Sequence, residues 1–131
     1  MIYFCADLHF NHTNILEYEN RTFDNIIEHD KCLIDNWNNT VARGDRVYIL
    51  GDFSFYKHPC KYLQSLHGEK HLIMGNHDYR HKRLNQYFAS VNDVKMLKHD
   101  GHLLFLSHYA HRVWPQKNYG AYHLYGHSHG N

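Results

Sequence analysis

The chain has 131 residues, enough to bury one core and too few for two domains. Lys+Arg 14 nearly balances Asp+Glu 13, and the net charge of +1 offers no electrostatic pull toward long nucleic acid or an anionic membrane. No run approaches the ~20 apolar residues of a membrane span. The opening Met-Ile-Tyr-Phe-Cys-Ala-Asp lacks the basic region of a signal peptide, so a cytoplasmic protein is expected.

Residues 1–6, rich in Ile, Tyr and Phe, read as a strand ending at Asp7. A loop carrying His9, Asn11 and His12 leads to a short helix capped by Thr13. A longer helix is expected at about 23–40, with Ile26, Ile27, Leu33, Ile34, Trp37 and Val41 on one stripe. The turn Arg43-Gly44-Asp45 feeds a strand at 47–50. Pro59 suits the first turn of a helix at about 58–67 with Leu63 and Leu66 inward. A strand at 70–74 follows, then a helix at 80–89 with Arg80, Lys82 and Arg83 on its exposed face. Residues 91–98 and 102–107 make a hairpin around His99-Asp100-Gly101, since Asp-Gly is a strong hairpin signal. A Trp-, Tyr- and Gly-rich loop at 109–121 precedes the last strand, 122–125. This is a single α/β domain, 1–131, that becomes more β-rich along its length.

Five of the apolar runs end in groups that bind metals. Asp7-Leu-His9, Gly51-Asp52, Gly75-Asn76-His77-Asp78, Ser107-His108 and Gly126-His127-Ser128-His129 each follow one. Strand ends are where ligands collect in open α/β sheets. The 15 histidines are the compositional outlier, and imidazole is the commonest metal ligand. In strand geometry Asp7 and His9 would share a face, as would His127 and His129. A carboxylate with imidazoles suits Mn, Fe or Zn better than Mg or Ca. Asp52 can bridge two cations, and Asn76 offers a neutral amide oxygen. His77 is placed to act on substrate, with Asp78 orienting its ring. Each motif has a plain alternative: Asp7 as a cap, Gly-Asp as an ordinary turn, Gly-Asn-His-Asp as a polar turn, His108 as a structural histidine, His-x-His as an exposed terminus. Cys5, Cys32 and Cys60, odd in number and far apart, read as reduced structural thiols.

The order Asp-x-His, Gly-Asp, Gly-Asn-His-Asp, His, Gly-His-x-His resembles that of the calcineurin-like metallophosphoesterases. Asp-Leu-His-Phe-x-His and Tyr-Ile-Leu-Gly-Asp-Phe look like the small bacterial and phage members. The resemblance implies two packed mixed β-sheets flanked by helices, an αββα sandwich. It also implies two divalent transition-metal ions (Mn, Fe or Zn). One would be held by Asp7, His9, Asp52 and His129, the other by Asp52, Asn76, His108 and His127. His77 would meet the phosphoryl group or leaving oxygen, with Asp78 as its partner. The reaction implied is hydrolysis of a small phosphodiester or phosphomonoester by a metal-bridging hydroxide.

Beyond the ligands, His12 and Asn11 could line the pocket. Arg112 could fork onto a phosphate oxygen or form a loop salt bridge. Tyr109, Trp114 and Tyr119 could stack on substrate or pack their loop. Members of the family usually continue past Gly-His-x-His into at least one more strand. This chain stops two residues later, so a naturally minimal or C-terminally truncated domain is expected. Two rivals stand beside the hydrolase: a non-catalytic metal-binding scaffold on the same fold, and a mononuclear iron oxygenase. The oxygenase would leave Asp52 and Asn76 unexplained.

Overall fold

The computed structural model describes residues 1–54, 59–80 and 83–129. Short runs with apolar residues on both faces, clearest in the first two, mark most strands of the first sheet. These are β1 (Ile2–Cys5), β2 (Arg46–Leu50), β3 (Glu69–Ile73) and β4 (Ser90–Asn92), lying side by side in that order. All three pairings are parallel, so this sheet is not mixed as expected. A parallel pair needs a crossover, and helices supply them. They are α1 (Ile15–Tyr18) and α2 (Ile26–Thr40), then α3 (Cys60–Leu63), then α4 (Leu84–Tyr87). The second sheet is mixed. In it β5 (Val94–His99) runs antiparallel to β6 (His102–Ser107), and β7 (Tyr122–Leu124) runs parallel to β6.

Alternation divides the core into two layers. Tyr3, Cys5, Val47, Ile49, Leu72 and Met74 face Trp37, Leu33 and Ile34 of α2, with Tyr62, Leu63 and Leu84 from α3 and α4. Phe4, Tyr48, Leu50 and Ile73 face Leu97, Leu104, Leu106 and Leu124 of the second sheet. The described residues thus stack as helices, sheet, sheet. No α-helix among them covers the outer face of the second sheet, where the expected sandwich has one. The loop at 109–121 does that work instead: Trp114 donates to the Ala121 carbonyl at 2.8 Å, and its ring packs 5.1 Å from that of His123.

Several local expectations shift. α2 begins at Asn25, whose side chain accepts from the Glu28 N–H at 2.9 Å. Ile27 is 77% exposed, while the fully buried His29 and the buried Asp30 take the inward positions of the first turns. α1 carries no side-chain cap at its start, so Thr13 does not cap it. Pro59 stands at the N-cap of α3, and residue 58 lies outside the described residues. α4 is shorter than the expected 80–89. Arg80 precedes it and pairs with Asp93, and Lys82 lies outside the described residues. The expected strand 91–98 is two strands, because the chain passes from one sheet to the other at Asp93. The Asp100-Gly101 loop is the predicted hairpin turn, with φ of 48° and 78° as a type I′ turn requires.

Candidate metal centre

Three parallel strands deliver Asp7, Asp52 and Asn76 at one end of the first sheet, and β6 and β7 bring His108 and His127 to the same place. The pleat is not what makes paired residues converge. Asp7 and His9 lie past β1 with φ of 57° and 55°, and His127 and His129 past β7 with φ of 66° and 51°. Asp52 has φ of 53°. Left-handed conformations in non-glycine residues cost of order 1–3 kcal/mol each and persist where the surroundings over-determine them. Here they are tied down: Asp7 N donates to Gly51 O at 3.1 Å and His9 N to Asp52 O at 2.9 Å. The His127 N–H reaches both Asp7 carboxylate oxygens, at 3.1 and 3.0 Å.

The candidate ligands fall into two groups, Asp7 with His9 and His129, and Asp52 with His108 and His127. Within each group the ligand atoms lie within 4.8 Å of one another. Asp52 joins them, since its Oδ2 is 3.6 Å from His9 Nε2 and 3.4 Å from His108 Nε2. Asn76 Oδ1 lies 2.8 Å from His108 Nε2. This closeness requires glycine at two strand ends. A Cβ on Gly75 would stand 2.3 Å from Asp52 Oδ1, and one on Gly51, at φ 89°, would stand 2.2 Å from His108 Nδ1.

The electrostatics follow from burial and neighbours. Burial pushes the His9 imidazole down to about 3, against the pull of Asp52, so it is neutral at pH 7. Its Nε2 is buried without a hydrogen-bond partner, the Asp7 and Asp52 carboxylates lying at 4.0 and 3.6 Å. Burial also raises Asp7. For Asp52 burial acts the same way but is outweighed, chiefly by His108 and the His77 N–H, so its carboxyl lies below its ordinary value. Burial disfavours a charged His108, yet Asp52 and the Leu50 carbonyl hold its proton and raise it. His108 Nε2, Asn76 Oδ1 and Asp52 Oδ2 thus gather at one point, where a cation would meet all three side chains.

His77 stands at this site, its ring centroid 5.5 Å from that of His9 and 4.9 Å from that of His12. Asp78 has a main-chain duty beside the ring-orienting one expected. Its two oxygens accept from the main-chain N–H groups of Asp52, Phe53 and Gly75, each at 2.8 Å, clasping two strand-end loops together. His12 is buried with Nδ1 3.1 Å from His9 Nδ1, a partner behind a candidate ligand. Asn11 is exposed and its N–H donates to Asp30. Arg112 is exposed, its guanidinium in no ion pair among the described residues, and its carbonyl accepts from Lys117. The Tyr109 ring packs 4.7 Å from His127, whereas Trp114 packs its loop and Tyr119 is 84% exposed.

Sequence reasoning passed over Glu19, Arg21, His29 and Asp30. Glu19 Oε2 lies 3.7 Å from His129 Nδ1, behind another candidate ligand. Arg21 donates to the carbonyls of Asp7 and Leu8 at 2.8 and 3.1 Å. His29 and Asp30 carried a signal. They occupy the i+3 and i+4 places after Ile26 on the inward stripe, where apolar residues belong.

No family model matches the chain. It is 37% identical over 134 residues to the uncharacterized protein MJ1445 of Methanocaldococcus jannaschii, covering 99% of this chain and 70% of that protein. The gene 66 protein of Mycobacterium phage L5 is 37% identical over 84 residues, 60% of this chain and 40% of that one. Among solved structures, the protein of unknown function AQ665 from Aquifex aeolicus superposes with a TM-score of 0.72 at 32% identity, over 83% of this chain and 60% of that one. No helix among the described residues is long and apolar enough to cross a membrane. On identity and coverage together, the chain belongs to the family of MJ1445.

Proposed function

We propose that this chain is a metal-dependent phosphoric ester hydrolase that takes two divalent transition-metal ions, Mn, Fe or Zn, and cleaves a small phosphodiester or phosphomonoester. One observation carries the reading. The buried, neutral His9 presents an unpartnered Nε2 toward two carboxylates. A buried polar atom left unsatisfied costs roughly 1–3 kcal/mol, and a Lewis acid on its lone pair removes that cost. Asp7, His9, Asp52 and His129 would hold one ion, and Asp52, Asn76, His108 and His127 the other. Such ions, when bound, polarise phosphoryl oxygens and bring a water's pKa toward neutrality.

The chain's own residues do the rest. The His77 N–H on Asp52 Oδ1, at 2.9 Å, fixes that carboxylate so that Oδ2 stays between His9 and His108. His108 Nδ1 donates to the Leu50 carbonyl at 2.8 Å, which sets Nε2 as the ligand atom. The His77 ring is the group for holding a proton to give the leaving oxygen. His12 lies beside the His9 and His77 rings, and the exposed Asn11 and Arg112 would reach for substrate. The two packed sheets support the metallophosphoesterase sandwich, with the loop at 109–121 in place of an outer helical layer.

The test is metal analysis beside hydrolysis of a generic phosphodiester and phosphomonoester under Mn²⁺. Two ions per chain and turnover are expected, with Asp52→Asn losing most of both because it weakens the shared ligand. A fully active Asp52→Asn would refute the ligand assignment. Two ions with no hydrolysis of either ester would favour the non-catalytic scaffold.

A further inference from the structure

Asp7, His9 and Asn11 alternate through the first loop in left-handed conformations, with φ of 57°, 55° and 58°. One side of this loop is bonded to the continuation of β2, through Gly51, Asp52 and Phe53. Its other side is bonded to Arg21, from the segment between α1 and α2, and to Asp30 of α2, with His29 of α2 linking those two side chains. Arg21 Nη2 donates to Asp7 O at 2.8 Å, and Nη1 donates to Leu8 O at 3.1 Å and to His29 Nε2 at 2.7 Å. His29 Nδ1 bonds Asp30 Oδ1 at 2.9 Å, and Asp30 Oδ2 accepts the Asn11 N–H at 3.0 Å.

The direction of every bond follows from chemistry. Arginine has no acceptor, so His29 Nε2 must accept and Nδ1 must carry the proton it gives to Asp30. His29 is therefore neutral and in one tautomer, and it is fully buried. The chain of bonds begins and ends on main-chain atoms of the same loop.

We propose that Arg21, His29 and Asp30 form a clamp that presets Asp7 and His9 for one of the two ions, the one they would share with His129. This rests on the metal reading above. Electrostatics alone would predict the opposite, since a fixed guanidinium beside a cation site repels the cation. The clamp acts through geometry, and groups that orient metal ligands are worth about 10–100-fold in affinity. None of its bonds reaches Asn76, His108 or His127 directly, so the other ion should feel it less, through the Asp7–His127 bonds and the shared Asp52.

The experiment is a two-site Mn²⁺ titration of the metal-free protein, read by loss of the free Mn²⁺ EPR signal, with Asn76→Ala identifying which affinity belongs to which group. Arg21→Lys keeps the charge and loses the fork. His29→Phe keeps the ring's bulk and breaks the relay. Each variant should weaken the Asp7 ion by about 10–100-fold and the other by clearly less. Circular dichroism of the metal-free variants checks that they fold, and a variant that does not fold leaves the other to decide. Unchanged or tighter binding of that ion, or equal weakening of both, overturns the clamp while leaving the metal reading standing. A wild-type chain that binds no Mn²⁺ removes both.

Discussion

The His77 main-chain N–H holds Asp52 while its ring faces His9 and His12, so the two halves of one residue do separable work. Alanine keeps the N–H and removes only the ring. His77→Ala should therefore retain its metal, measured by elemental analysis, while turnover falls by about 10²–10⁴-fold. Loss of both ions would mean that the ring is itself a ligand. Asp78 gives the contrasting case, since its carboxylate accepts three main-chain N–H groups. An amide in its place cannot accept all three, and each buried donor left unpaired costs about 1–3 kcal/mol. Asp78→Asn should thus lower the melting temperature as well as the rate, and a variant as stable as wild type would return Asp78 to a purely catalytic role.

α2 stands out among the elements because its first two turns carry His29 and Asp30 toward the candidate metal centre. Its start rests on one side-chain cap, Asn25 on the Glu28 N–H. Asn25→Ala should cost roughly 0.5–2 kcal/mol in urea unfolding of the metal-free protein. No change would show that packing alone sets where the helix begins. Elements differed in how plainly the sequence announced them. β1, β2 and β3 were legible because both faces are apolar, leaving one reading for a short run between turn residues. The short helices were not, since four residues cannot display a helical period. The positions of Asp7, Asp52 and His108 at strand ends were legible too. Their convergence was not, because it depends on left-handed backbone that Asp and His do not advertise. The clamp was hidden differently: a helical stripe is sought among apolar residues, and His29 and Asp30 broke the stripe while filling it.

Across the whole molecule, the candidate ligands join segments that have little else in common. Asp7 and His127 meet at 3.0 Å across 120 residues of chain. Ions held by this set would bind the folded state alone, so they should act on global stability. Mn²⁺ at 100 times its dissociation constant contributes about 2.7 kcal/mol, and should raise the melting temperature by roughly 5–15 °C, reversed by a chelator. An unmoved transition would mean that the ions bind folded and unfolded chains alike, or not at all. The same separation bears on how such a protein is made. A chain synthesised from its N-terminus presents Asp7 and His9 first, Asp52 and Asn76 later, and His127 and His129 last. For most of its synthesis it carries scattered imidazoles and carboxylates with no pocket to join them. A pocket built from this set would be complete only once residue 129 has been made, so bound ions would consolidate the fold and not guide its earlier segments.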